Sequence, residues 1–153
     1  MKNLSIVILF SASLLFGFTY DRSLNQHNPQ DKSVEEEEIK FFEGSWQEAL
    51  KKADEEDKLI FLDAMASWCG FCKILERDTF SNIKVVEFFN RKFINFKMDM
   101  EKNPNGPRLS KKYNLKGYPT LYFIDKNEVL IHSGSGNMSA RDIIRLGQEA
   151  LDK

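Results

Sequence analysis

From residue 39 onward, apolar residues fall into short runs separated by polar stretches rich in capping residues, and the period of the runs changes along the chain. Residues 39–43 form a short apolar stretch that predicts an edge strand. Ser45-Trp46-Gln47-Glu48 has capping-box spacing, in which the Ser hydroxyl and the Glu carboxylate each satisfy an orphan backbone N–H, and it predicts a helix to about Asp57. Residues 58–64 (KLIFLDA) are continuously apolar at strand length, the pattern of a strand covered on both faces. A second helix is expected from the two cysteines to about Asp78, and a third, capped by Ser81, through Phe89. Residues 93–100 (FINFKMDM) alternate as a strand does, and 104–114 read as a short polar helix. Residues 120–125 (TLYFID) and 129–133 (VLIHS) read as strands joined by the turn Asp125-Lys126-Asn127-Glu128. Ser139 and Asp142 repeat the capping box before a C-terminal helix. The order β-α-β-α-β-α-β-β-α predicts an α/β domain with a mixed, mostly parallel central sheet, helices on both faces, and one antiparallel strand forced by the terminal hairpin.

Upstream the pattern differs. Residues 4–18 are apolar apart from Ser5, Ser11, Ser13 and Gly17, and Lys2 precedes them. These 15 residues fall short of the roughly twenty that span a bilayer. Residues 1–19 are therefore expected to be an export signal, with Gly17 and Thr19 small enough for cleavage after Thr19, or else an uncleaved anchor. Either form places the domain outside the cytoplasm, periplasmic or otherwise, and soluble once the signal is removed. Residues 20–38 are polar and end in four glutamates, the composition of a flexible acidic linker. Residues 39–153 remain as the folded domain.

Composition narrows the classes further. The 153 residues suit one domain behind a leader, and 42% hydrophobic residues with 13 Phe are enough for a layered core. A net charge of −1, from 22 basic and 23 acidic side chains, gives no basic excess for nucleic acid. The 2 cysteines sit at Cys69 and Cys72. So small a loop removes little entropy from the unfolded chain, so a redox role fits the spacing better than a structural bridge. Structural zinc wants four ligands, and beside this pair stand only His27, in the linker, and His132. Covalent haem wants a histidine after the second cysteine, where Lys73 stands. No metal and no cofactor is expected.

Two cysteines separated by two residues at a helix start open and close a disulfide with little backbone movement. Exchange needs a thiolate, and the orphan N–H groups and dipole at a helix N-terminus favour one. Cys69 is the candidate nucleophile and Cys72 the resolving thiol. Asp63 ends an apolar strand six residues earlier: either it is an ordinary strand-end acid, or it is partly buried, with a raised pKa, and takes the Cys72 proton through a water. Lys97 interrupts its strand and points either to Asp63 or to solvent. Trp68, Phe71 and Tyr118 form either an exposed apolar patch or, as expected here, a partly buried collar around the disulfide. Tyr118-Pro119-Thr120 precedes a strand, where proline is tolerated, and trans is the default for its bond.

Together these residues resemble the thioredoxin superfamily over residues 39–151. FLDAMASWCGFCK has the strand, buried acid, Trp and CxxC of that family, and KGYPTLYFID has its cis-proline loop and following strand. WCGFCKILERDTFSN with VVEFFNRKFINFKMDMEK is most similar to exported bacterial thioredoxin-like proteins and to the C-terminal thioredoxin-like domain of the thiol–disulfide interchange protein. The resemblance implies a thioredoxin-like fold, a cis bond before Pro119, and Asp63 and Lys97 as the buried acid and its partner lysine. It implies substrate contact at Trp68, Gly70, Phe71, Tyr118, Pro119 and Thr120. It departs from the family in having Gly70-Phe71 between the cysteines and Arg77 where a kinking proline often stands. The activity implied is reduction or exchange of protein disulfides by a monomer, fed by an upstream thiol donor such as a membrane thiol–disulfide transporter. Dedicated dithiol oxidation, or peptide holding without catalysis, are the alternatives on the same fold.

Overall fold

The structure, a computed structural model, describes residues 38–153; the expected leader, and the linker up to residue 37, lie outside them. Nine elements follow one another: α1 (Trp46–Glu56), β1 (Leu59–Met65), α2 (Gly70–Asp78), α3 (Ile83–Lys92), β2 (Phe93–Asp99), α4 (Gly106–Lys112), β3 (Thr120–Ile124), β4 (Leu130–Ser135) and α5 (Ala140–Leu151). This is the α/β thioredoxin-like fold.

The helix signals act locally. Ser45 accepts the Glu48 N–H while the Glu48 carboxylate accepts the Ser45 N–H at 2.7 Å, the full capping box. Ser139 accepts the Asp142 N–H at 3.3 Å. The third helix differs from expectation: Asn82, not Ser81, is its N-cap, accepting the Lys84 N–H at 3.1 Å. The Ser81 hydroxyl donates back to the Arg77 carbonyl at 2.6 Å and is spent on the end of α2.

The sheet order is β2-β1-β3-β4. β1 pairs with β2 in parallel, while β1–β3 and β3–β4 are antiparallel. One strand is inverted, as expected, but it lies inside the sheet. Two of the three ladders are therefore antiparallel, and the sheet is mixed without being mostly parallel. The cause is the connection after β2. Met65 pairs with Asp99 and Ala64 with Thr120, so β3 starts at the end of the sheet where β2 stops. The seven-residue α4 spans only about 10 Å at 1.5 Å per residue and does not carry the chain back across the domain. Gly106 fixes this return, since a Cβ there would collide with the Met100 carbonyl.

Residues 39–43 are not a strand. One ladder-type bond ties them to β2, Phe42 N–H to Asn95 O at 2.7 Å. Side-chain amides take the place of a ladder: Asn90 Oδ1 accepts the Lys40 N–H, and Asn95 Nδ2 donates to the Lys40 carbonyl.

Alternation along β1 splits the core. Ile60, Leu62 and Ala64 pack under Trp46, Ala49 and Ala53 of α1 and Leu109 of α4. Phe61 faces the other way, into a cluster with Leu75 of α2, Val85, Val86 and Phe89 of α3, and Ile143 of α5. That layer is aromatic: Phe61 meets Phe89 at 4.5 Å and Phe93 meets Phe123 at 5.1 Å between centroids. Such pairs add about 0.5–1.5 kcal/mol each beyond their burial. By the same period of two, Asp63 and Met65 lie on the Phe61 face, beneath α2.

Candidate active site

Three loops converge at the end of the sheet where β1 and β2 stop and β3 begins. They are residues 66–69 before α2, the turn after Asp99, and the loop ending in Tyr118–Pro119. The 66–69 loop is held by its backbone: Asp99 Oδ2 accepts the Ser67 N–H at 3.0 Å, and the Cys69 N–H reaches Ala66 O at 2.9 Å. Burial pushes the Asp99 carboxyl up, but N–H donors from Glu101, Lys102 and Ser67 outweigh it and hold the group below its ordinary value.

Cys69 is the N-cap of α2, with extended backbone, and its sulfur accepts the Cys72 N–H at 3.1 Å. The two cysteines are joined as a disulfide with Cα atoms 5.4 Å apart. Both are nearly covered, at 3% and 5% exposure, and they pack with Ala66, Met65 and Tyr118. The Tyr118–Pro119 bond is cis, Pro119 is buried, and its carbonyl is taken by the Gly136 N–H at 2.9 Å. Thr120, also buried, donates its hydroxyl to Gly117 O at 2.8 Å. Gly70 is exposed and has nothing within 4 Å of where a Cβ would sit.

The aromatic neighbours depart from the expected collar. Trp68 is 68% exposed and Phe71 63% exposed; only Tyr118 is half-buried. The first turn of α2 projects outward at the sheet end, and the buried volume around the sulfurs is filled by Ala66, Met65 and Tyr118. Trp68 stands edge-on to Tyr118 at 5.7 Å.

Asp63 is 3% exposed, and its Oδ1 has no hydrogen-bond partner among the described residues. Burial, only partly countered by the Lys97 charge and reinforced by Glu76, pushes its carboxyl up to about 7. Lys97 is its register partner on β2, but its ammonium does not bond Asp63. It pairs with Glu76 Oε2 at 2.6 Å and lies over the Phe41 ring at 5.8 Å. The expected Asp63–Lys97 pair is thus a three-group arrangement in which the half-exposed Glu76 holds the lysine. Glu76 is the residue that sequence reasoning missed. Its signal was present: it lies four residues after Cys72, on the same face of α2.

Comparison with known proteins agrees with this geometry. The Thioredox_DsbH family model, described as a protein of unknown function, DUF255, matches residues 23–135. The thiol:disulfide interchange protein DsbD of Campylobacter jejuni (strain RM1221) is 29% identical over 150 residues. These cover 94% of this chain and 26% of the relative, so the chain spans about a quarter of that protein's length. The solution structure of a putative disulphide-isomerase from Bacteroides thetaiotaomicron is 40% identical with a TM-score of 0.68, covering 76% of this chain and 96% of that one. The oxidised C-terminal domain of Neisseria meningitidis DsbD, at 22% identity, shares the fold with a TM-score of 0.58 over 73% of this chain and 98% of that domain. With a cysteine pair at the tip of α2 and a family match over most of its length, the chain belongs to the Thioredox_DsbH family, thioredoxin-like disulfide oxidoreductases related to DsbD and DsbH.

Proposed function

We propose that this chain reduces or exchanges protein disulfides outside the cytoplasm, with Cys69 as the attacking nucleophile and Cys72 as the resolving thiol. One observation carries the assignment: Cys69 caps α2 and its sulfur accepts the Cys72 N–H. A sulfur among the orphan N–H groups of a helix start is stabilised as the thiolate, which is the reactive form.

In the dithiol state, the Cys69 thiolate attacks one sulfur of a substrate disulfide. The Cys69–substrate bond forms as the substrate S–S bond breaks, and the other substrate sulfur leaves as a thiolate that takes a proton from solvent. Asp63, with its carboxyl near 7, accepts the Cys72 proton through an intervening water. The Cys72 thiolate then attacks Cys69 Sγ, closes the intramolecular disulfide and releases the second substrate thiol. Two electrons pass to the substrate, and an upstream dithiol donor returns them. The backbone of the Tyr118–Pro119 loop and the Trp68, Gly70 and Phe71 surface border the substrate, with Thr120 bracing the loop. The apolar run at 4–18 supports the extracytoplasmic placement.

The test is reduction of insulin disulfides by dithiothreitol. The parent chain accelerates it and Cys69→Ser does not; acceleration surviving in Cys69→Ser removes Cys69 from its role. The reduction potential fixes direction, a value well above that of thioredoxin marking a dedicated oxidant. The exposure of Trp68 and Phe71 favours a second reading, a peptide-holding module. Its mark is protection of an unfolded client that persists in Cys69→Ser/Cys72→Ser, beside a parent with no turnover.

A further inference from the structure

Glu101 lies outside the cysteine motif and takes part in none of the steps above. We propose that Glu101 is a positioning residue: its carboxylate orients the Trp68–Tyr118 pair beside the disulfide and thereby sets affinity for a protein substrate, leaving the sulfur chemistry to the cysteines. The inference rests on the disulfide-exchange reading and deepens it.

An exposed indole turns freely about two side-chain bonds unless something holds it. Trp68 is held twice. Its Nε1–H donates to Glu101 Oε2 at 2.8 Å, and its ring meets Tyr118 edge-on at 78°. Tyr118 in turn packs against the disulfide. Burial first, then the nearby charges of Glu101 and Asp99, push its phenol up from the ordinary tyrosine value. One carboxylate therefore holds the indole, and the indole in turn stands edge-on to a tyrosine from a different loop.

Glu101 is itself anchored. Its N–H donates to Asp99 Oδ1 at 3.0 Å, while Asp99 Oδ2 accepts the N–H of Ser67, the residue before Trp68. The turn after β2 thus holds both the backbone entering Trp68 and the far edge of its indole. Phe71, on the other side of Cys69, has no polar atom to tether. The platform has one fixed wall and one movable wall. A wall fixed before the partner arrives loses no rotational freedom on binding, so its benefit appears in affinity.

Two substitutions test this in the full chain. Glu101→Ala removes the acceptor; Glu101→Gln keeps a neutral oxygen at the same reach. In insulin reduction, Glu101→Ala is expected to raise KM about five-fold with kcat within about two-fold, and Glu101→Gln to return KM to within about two-fold of the parent. In ¹H–¹⁵N spectra the Trp68 indole resonance moves in Glu101→Ala and stays in Glu101→Gln. The Trp46 indole, bonded to Glu128 at 2.6 Å, stays in both and reports an intact fold. An unchanged KM in Glu101→Ala overturns the proposal, as does an equal rise in both variants or a Trp46 resonance that moves. A parent that does not reduce insulin sinks the exchange reading alone. The Trp68 indole then decides for Glu101: movement in Ala but not Gln sustains the positioning role, and no movement ends it.

Discussion

Two carboxyl groups of this domain have opposite fates. Asp63, under α2, is buried with no partner on Oδ1 among the described residues, and burial drives its pKa up to about 7. Glu128, in the β3–β4 turn, takes two bonds from Arg108 at 2.7 Å each, one from Lys112 at 2.9 Å and one from the Trp46 indole at 2.6 Å. The Arg108 bonds foremost, against the cost of burial and helped by Lys112 and Trp46, hold it down to about 2. At the Glu128 end of the sheet the ionised oxygens have matching donors, and the result is a clamp joining α1, α4 and the hairpin. Beneath the cysteines a carboxyl oxygen has no hydrogen-bond partner among the described residues, and burial holds the group's pKa near neutrality.

The largest expected break in this contrast comes from Asp63→Asn. The native carboxyl holds its proton to about 7, whereas the unfolded chain releases it near 3.8. Between those values the native state binds more protons, so stability falls as pH rises across the window. The difference corresponds to about 4 kcal/mol. Urea denaturation of the disulfide form at pH 4 and pH 8 should show the parent losing that much relative to Asp63→Asn. Equal pH profiles for the two proteins would contradict a buried, neutral Asp63.

Glu128→Gln probes the other end with the opposite sign. The native pKa lies below the unfolded value of 4.5, so the stabilisation is present above 4.5 and is lost as pH falls toward 2. The arginine and lysine partners are 48% and 39% exposed, and solvent screening discounts the gain to about 2 kcal/mol. Thermal unfolding at pH 7 should show that loss, with the gap to the parent closing near pH 2.

The smallest effect sharpens the comparison. Glu76→Gln removes a negative charge near Asp63 and releases Lys97 toward it. The Asp63 midpoint should drop by about one pH unit in a carboxyl ¹³C titration. A midpoint that rises would show that Lys97 does not act on Asp63.

Much of this was legible because it is local. The Ser45–Glu48 box, the apolar KLIFLDA strand and the Cys69 cap depend on residues within a few positions of each other, and each lies where its pattern put it. One inverted strand was legible in the hairpin, but its place inside the sheet was not, because that depends on which end of the sheet the chain returns to after β2. Residues 39–43 read as a strand by composition; Asn90 and Asn95, some fifty residues on, supply the bonds that make a ladder unnecessary. At the site, Cys69 and Cys72 follow from spacing, and the cis bond at Pro119 from resemblance. Asp63 and Lys97 are register neighbours, but adjacent Cα atoms do not settle where a long side chain reaches, and Glu76 takes the lysine. Trp68 and Phe71 were expected under cover on apolar character alone, which says nothing of a helix tip that projects outward.

The sheet order has a consequence for synthesis. β1 occupies the interior of the sheet, yet both its neighbours, β2 and β3, are made later. Until residue 124 has left the ribosome, the apolar run at 59–65 lacks its β3 neighbour and has one edge open even after β2 is made. A sheet that is completed so late leaves the edge of its central strand to be shielded by other means until the chain is nearly finished.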